Sequence, residues 1–188
     1  THRTRPSLTE RFGSRRAAGC WLVIVLLIGF ALRVWRLGEL PFGFHPDEAH
    51  NLLDAVRITQ GWRPLYLPNN YGREAFHCYL VAASIGVFGP TVWAVRLVTA
   101  FAGTLVIPAV YLLVRGLPLP RARLTAGIAA ALVAFTFWPV AQARYALRSN
   151  LVPLWIALVL WAWWGTLRAW RGDGSDPPRP WRVRLAWL

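Results

Sequence analysis

Glu74–Gly89, EAFHCYLVAASIGVFG, is the stretch on which the reading of the whole chain turns. It is apolar enough to lie in a bilayer, yet shorter than the roughly 20 residues a helix needs to cross one. After it come three longer apolar runs, 91–115, 124–141 and 151–167; before it comes one, 18–36. From Gly38 to Gly72 the sequence is rich in Pro, Gly, Asn and charged residues, the composition of a segment outside the membrane.

Arginine chooses between the two possible threadings. All 21 basic side chains are Arg, and they cluster between the apolar runs. If 74–89 stays on one side and the N-terminus is inside, three basic segments share the cytoplasm. These are residues 1–17, the RGLPLPRAR loop at 115–123, and the tail with Arg168, Arg171, Arg179, Arg182 and Arg184. If 74–89 crosses, the last two move outside, against the excess of Arg that short cytoplasmic loops carry. The expected plan is therefore a cytoplasmic basic tail over 1–17 and a first span over 18–36. An outer loop follows over 37–90, with juxtamembrane helices at about 46–60 and 74–89. Spans over 91–115, 124–141 and 151–167 come next, then 168–188 as a cytoplasmic tail and the start of a truncated next span. The fold class is all-α integral membrane, a multi-span helical bundle.

Composition agrees. Of 188 residues 56% are hydrophobic and 12 are Trp, too little polar surface for a soluble chain of this length. A net charge of +13 raises the question of nucleic acid. Arginines placed between apolar runs instead of along one face exclude it and fit a topology signal. Cys20 and Cys78 lie at opposite ends of the outward path, which argues against a disulfide, and no Cys/His pattern suggests zinc. The first apolar run lacks a small-residue cleavage site and reads as an uncleaved span. The chain begins with Thr, contains no Met and ends in WRVRLAWL, so a fragment, inactive by itself, is expected.

The outer loop holds an amphipathic helix in HPDEAHNLLDAVRITQG, residues 45–61. Pro46 suits a first helical position and Gly61 a stop. Ala49, Leu52, Leu53 and Val56 form one stripe; Asp47, His50, Asn51 and Asp54 form the other. Such a helix lies in the interface with its apolar side toward lipid. Asp47 and Glu48 stabilise the helix dipole by position alone. They are also carboxylates at the mouth of a membrane site, able to take a proton from a hydroxyl or to ligate a divalent cation. Asp54 lies one turn beyond His50 and is expected to pair with it. Arg73 and Glu74 open the second juxtamembrane helix, as interface anchors or as part of the same cavity. Arg144 and Arg148, in ARYALRSN, stand one helical turn apart at the end of the third span. On the outer side they run against the topological preference, which a phosphate ligand would explain. Arg96 sits about a turn inside its span and is expected to face the bundle interior. The Trp residues read as an interface belt, with Trp161, Trp163 and Trp164 near the cytoplasmic end.

In this order the features resemble the N-terminal part of GT-C-type membrane glycosyltransferases, the protein O-mannosyltransferase and lipid A aminoarabinose transferase branch. The resemblance rests on RVWRLGELP, FHPDEAHN, YGREAFHCYL, WAVRLVTAFAGTL and QARYALRSNLVPL, over roughly residues 20–170. It implies a polyprenyl-phosphate sugar donor, a lipid, glycan or protein acceptor outside the cytoplasm, and a bacterial plasma (inner) membrane. It also implies Asp47 as catalytic carboxylate with Glu48 beside it. Arg73 and Glu74, with Arg144 and Arg148, would bind the donor phosphate or substrate. The chain departs from the family at Asn150, where an acid is common, and lacks the Pro residues that often follow the charged start of the second loop helix. No cofactor is required by this reading beyond the possible divalent cation. A transporter or a non-catalytic membrane scaffold is the alternative, with Arg96 and the Pro-containing spans in its favour. Charges gathered at the outer interface and the long first loop speak for the transferase.

Overall fold

The computed structural model describes residues 15–68 and 72–170. The expected tails over 1–14 and 171–188 lie outside the described residues, as does the short stretch 69–71. What is described is the all-α membrane bundle expected, with one small β-ladder.

Helix α1 spans Arg15–Val34, and Arg36, at φ 49°, ends the turn that follows it. Helix α2 spans Pro46–Thr59 in the loop. Strands β1 (Tyr66–Leu67) and β2 (Arg73–Glu74) pair antiparallel, with Tyr66 opposite Glu74 and Leu67 opposite Arg73. Helix α3 spans Phe76–Phe88, α4 Val92–Gly116, α5 Ala122–Phe135 and α6 Phe137–Ala143. A 3-10 turn over Arg148–Leu151 leads into α7, Val152–Trp170.

Three of these segments are long and apolar enough to cross a membrane: Ala17–Val34, Val92–Gly116 and Arg148–Trp170. Helix α3 has 13 residues. At 1.5 Å per residue that is about 20 Å, short of the ~30 Å hydrocarbon core.

The third apolar run is not one helix. It breaks at Thr136 and bends by 55° between α5 and α6. The cause is local: Pro139 has no N–H to donate to Phe135, four residues back. Thr136 turns its hydroxyl to the Leu132 carbonyl (2.6 Å), which helps end α5.

Helix α4 runs through the centre and joins two cores. Toward the loop, Ala94 and Val95 meet Ala55 and Ile58 of α2, Leu67, Cys78, Val81 and Ile85 of α3, and Ala146. Toward the other end, Ile107 and Tyr111 meet Val25 of α1 and the small-residue stripe Ala126, Ala130 and Ala134 of α5. Small side chains at four-residue spacing let membrane helices approach closely. At that far end Trp164 Nε1 donates to the Gly116 carbonyl (2.7 Å) and covers the end of α4.

The amphipathic helix buries part of each stripe: Leu52 and Val56 are half-buried against the core, while Asp47 and His50 stay at the surface. Glu48, Asn51 and Asp54 are buried against the protein together with Ala55 and Ile58, while Leu53 is exposed. Polar groups with partners inside the protein can be buried; apolar groups with lipid available need not be.

Candidate functional site

The site starts at the first turn of α2. His45 is the N-cap: its Nδ1 accepts from the Asp47 amide (3.2 Å), and its own amide donates to Glu48 Oε2 (3.0 Å). This capping box fixes the two acids in different directions. Asp47 keeps its side chain 45% exposed, 3.6 Å from the His45 ring. Glu48 turns inward and is fully buried.

Both Glu48 oxygens are occupied. Oε1 accepts from Arg96 Nε (2.9 Å) and from the Ala146 amide (2.8 Å). Oε2 accepts from Arg96 Nη2 (2.9 Å) as well as from His45. Burial alone would raise this carboxyl. The hydrogen bonds from Arg96, Ala146 and His45 outweigh burial and hold it below its ordinary value. Arg96 therefore faces the interior as expected, and it also donates to the carbonyls of Pro41 (3.0 Å) and Gly43 (2.7 Å). A divalent cation does not fit the acidic pair: Glu48 has no oxygen left to offer, and a guanidinium already neutralises it. Among the described residues no group of three or more His, Cys, Asp or Glu side chains converges elsewhere.

Ala146 is the hinge of the arrangement. Its amide goes to Glu48, and its carbonyl accepts from Asn51 Nδ2 (2.8 Å). Two polar side chains of α2 thus hold residues 144–148 by the backbone. That segment is not helical. Helix α6 ends at Ala143, and Arg148 opens the 3-10 turn, so Arg144 and Arg148 do not share one helical face. Arg144 points into the end of α1, donating to the carbonyls of Leu32 (2.6 Å), Trp35 (2.8 Å) and Leu40 (3.2 Å). Leu32 is in the last turn of α1, where carbonyls lack intrahelical donors, and Trp35 and Leu40 lie in the segment that follows it. Arg148 stays half-exposed and pairs with Glu74 across 2.6 Å.

Arg73 lies on β2, not on a helix, and is buried against Asp54 at 2.6 Å. Asp54 pairs with Arg73 and, at 3.4 Å, with Arg57, in place of the expected His50. The second loop helix begins at Phe76, after the ladder. Beneath these pairs His77 is 2% exposed, with neither ring nitrogen hydrogen-bonded. Burial, reinforced by Arg73, pushes its pKa down to about 4, so the ring is neutral.

The structure thus brings Glu48, Arg96, Asn51 and Ala146 into one network, with Asp47 at its rim. Arg148 and Glu74 form a second, exposed pair, and Arg73 and Arg144 are engaged inside. Asn51 was read only as part of a polar stripe; its partner lies 95 residues away. Arg33, an ionisable group inside an apolar run, is a further signal that the sequence carries by itself.

Below residues 144–150 an apolar groove of 630 Å³ opens between α4, the broken span and α7. Val106, Val133, Pro139, Ile156 and Leu160 are among its walls, and Gln142, Ser149 and Asn150 are its polar positions. Asn150 Nδ2 donates to the carbonyls of Gln142 (2.5 Å) and Tyr145 (2.7 Å).

Comparison with known proteins returns one family. Its model, dolichyl-phosphate-mannose-protein mannosyltransferase, matches residues 78–172, half of the chain. The match includes Arg96, Arg144 and Arg148; Asp47 and Glu48 precede it. No curated protein and no solved structure matches the chain. With its helical membrane bundle, the chain belongs to the dolichyl-phosphate-mannose-protein mannosyltransferase family of GT-C-type membrane glycosyltransferases.

Proposed function

We propose that this chain carries the site of sugar transfer from a polyprenyl-phosphate donor to an acceptor hydroxyl on the non-cytoplasmic side of the membrane. The observation that carries this reading is the division of labour between two adjacent acids. Glu48 is locked into the protein by Arg96 and Ala146, whereas Asp47 remains accessible at the same helix start. A general base must reach the proton it removes, and only the accessible carboxylate can.

Asp47 accepts the proton of the acceptor hydroxyl as its oxygen bonds to the anomeric carbon of the sugar. The bond from that carbon to the phosphate oxygen breaks with it, and the lipid phosphate leaves with the electron pair. One displacement inverts the anomeric centre. Arg148, half-exposed and held by Glu74, is the cation in reach of a phosphate arriving from the membrane. Arg73 and Arg144 support the site from within, through Asp54 and the end of α1. The groove beside Asn150 suits the polyprenyl chain: it is apolar, lined by α4 from Gly103 to Leu113 and by α7 from Pro153 to Leu160, and polar near residues 142–150.

The test is Asp47→Asn in the intact membrane protein, assayed with polyprenyl-phosphate sugars. Transfer should fall by at least about a thousandfold, the loss of a general base and of the site's charge together, with insertion and folding unchanged. Wild-type turnover by this variant would remove Asp47 from the mechanism.

A further inference from the structure

Arg33 has no part in the chemistry above, yet it is fully buried inside α1. Its guanidinium donates to three carbonyls: Gly29 (2.9 Å) and Ala134 (3.2 Å) from Nη1, and Val133 (2.8 Å) from Nη2. Gly29 lies one turn back on its own helix. Val133 and Ala134 are the last turn of α5, just before the break at Thr136. In an uninterrupted helix their carbonyls would accept from the amides of residues 137 and 138. The bend takes those donors away, and at membrane depth no water replaces them. Arg33 supplies N–H groups where the broken span has lost its own.

Two glycines beside Arg33 let the surrounding helices close in, and the contacts they relieve are with Ile107 and Ala143. A Cβ on Gly29 would stand 3.4 Å from Arg33 Nη1 and 2.7 Å from Ile107 Cδ1. A Cβ on Gly103 would stand 3.5 Å from Arg33 Nε and 2.5 Å from Ala143 Cβ. Gly103, Val133, Trp138, Pro139 and Ala143 also line the groove, so the clasped break is one of its walls.

We propose that Arg33 is a positioning residue for the donor: by clasping the last carbonyls of α5 it holds the 55° bend that shapes the groove for the polyprenyl chain. The role in donor binding rests on the function proposed above; the clasp itself does not. A straightened third span would move Trp138, Pro139 and Gln142 relative to Val133 and narrow or tilt that wall. The acceptor site at Asp47 is held separately, by His45, Glu48 and Arg96.

Arg33→Met in the intact protein should raise the donor KM about tenfold while leaving the acceptor KM and, within about threefold, kcat unchanged, since ground-state binding of the lipid chain is what is lost. Arg33→Lys should recover part of the loss, because an ammonium reaches fewer carbonyls than a planar fork. Gly103→Ala keeps the Arg33 charge and presses on the same wall through Ala143, so it should show the same donor-specific rise. It also keeps the test open if Arg33→Met does not fold. A readout independent of turnover is the spin-label distance between Ile128→Cys and Phe137→Cys in a Cys20→Ser background, two exposed positions on either side of the break. That distance should shift in Arg33→Met. A wild-type distance and a wild-type donor KM in the folded variant would overturn the proposal. A shifted distance in a protein whose wild type uses no polyprenyl-phosphate donor would remove the donor role and the function proposed above, and leave the clasp.

Discussion

Asp47 and Glu48 have the same functional group on adjacent residues, and the first turn of α2 sends them to different environments. Glu48 has four donors on its two oxygens and no exposure; removing its charge leaves the Arg96 guanidinium buried without a counter-ion. Glu48→Gln should therefore destabilise the protein by about 3–5 kcal/mol, as breaking a buried pair does. Its mark is a lower melting temperature in detergent, where Asp47→Asn leaves melting in place and removes transfer. Glu48 also contributes to acid sensitivity: its pKa is depressed by folding, so its stabilisation holds above the unfolded value and is lost as pH falls through the folded one. His77 adds a loss at higher pH. Its pKa falls from 6.5 to about 4 on folding, so below 6.5 the unfolded chain takes a proton that the folded one refuses. Between those limits the difference is worth about 3 kcal/mol against the folded state, at 1.36 kcal/mol per pH unit. The charged groups acting on the ring are Arg73, Glu74 and Arg148. His77→Leu should flatten the melting-temperature profile over pH 6.5 to 4; an unchanged profile would mean the ring is hydrated or paired. Neither partner set was legible from the sequence, because Arg96 is 48 residues from Glu48 and Arg73 becomes a neighbour of Asp54 only through the ladder.

At the scale of elements, periodicity located α2 to within a residue at its C-terminal end, and α3 is the short apolar helix its sequence length led one to expect. Both rest on local quantities, 3.6 residues per turn and 1.5 Å per residue. Which side of α2 faces the protein was a different matter: Glu48, Asn51 and Asp54 turn inward beside Ala55 and Ile58, and residues 144–148 offer Glu48 and Asn51 backbone partners that only a folded bundle brings there. The break in the third span had a visible cause in Pro139, but proline in a membrane helix is often tolerated without a break, so the sequence could not measure the bend. Helix α3 yields a prediction of its own. If it lies on one side of the bilayer, Phe76→Cys and Phe88→Cys, exposed at either end, should both react with an impermeant maleimide added from outside. Reaction of Phe76→Cys alone would make α3 a span and reverse the sidedness of everything after it.

Across the whole molecule, the proposed threading puts the β-ladder outside and the loop between α4 and α5 inside. Leu65 is 96% exposed beside the ladder and Leu119 is exposed in that loop. Leu65→Cys should label in intact cells, and Leu119→Cys only after permeabilisation. Labelling of both from one side would separate α2 from residues 144–148 by a membrane and dissolve the site.

Local sequence by itself determined where the apolar helices lie, how long they are and where the charges sit along the chain, since each follows from spacing and composition over fewer than about 25 residues. It also carried the stretch 78–172, the arginine segment included, over which the family model matches. Only the tertiary structure decided which acid is buried, which arginines are engaged by carbonyls and which arginine stays exposed. Those outcomes depend on side-chain and backbone groups roughly 50 to 110 residues away, and a guanidinium or carboxylate settles on whichever unsatisfied partner the fold delivers.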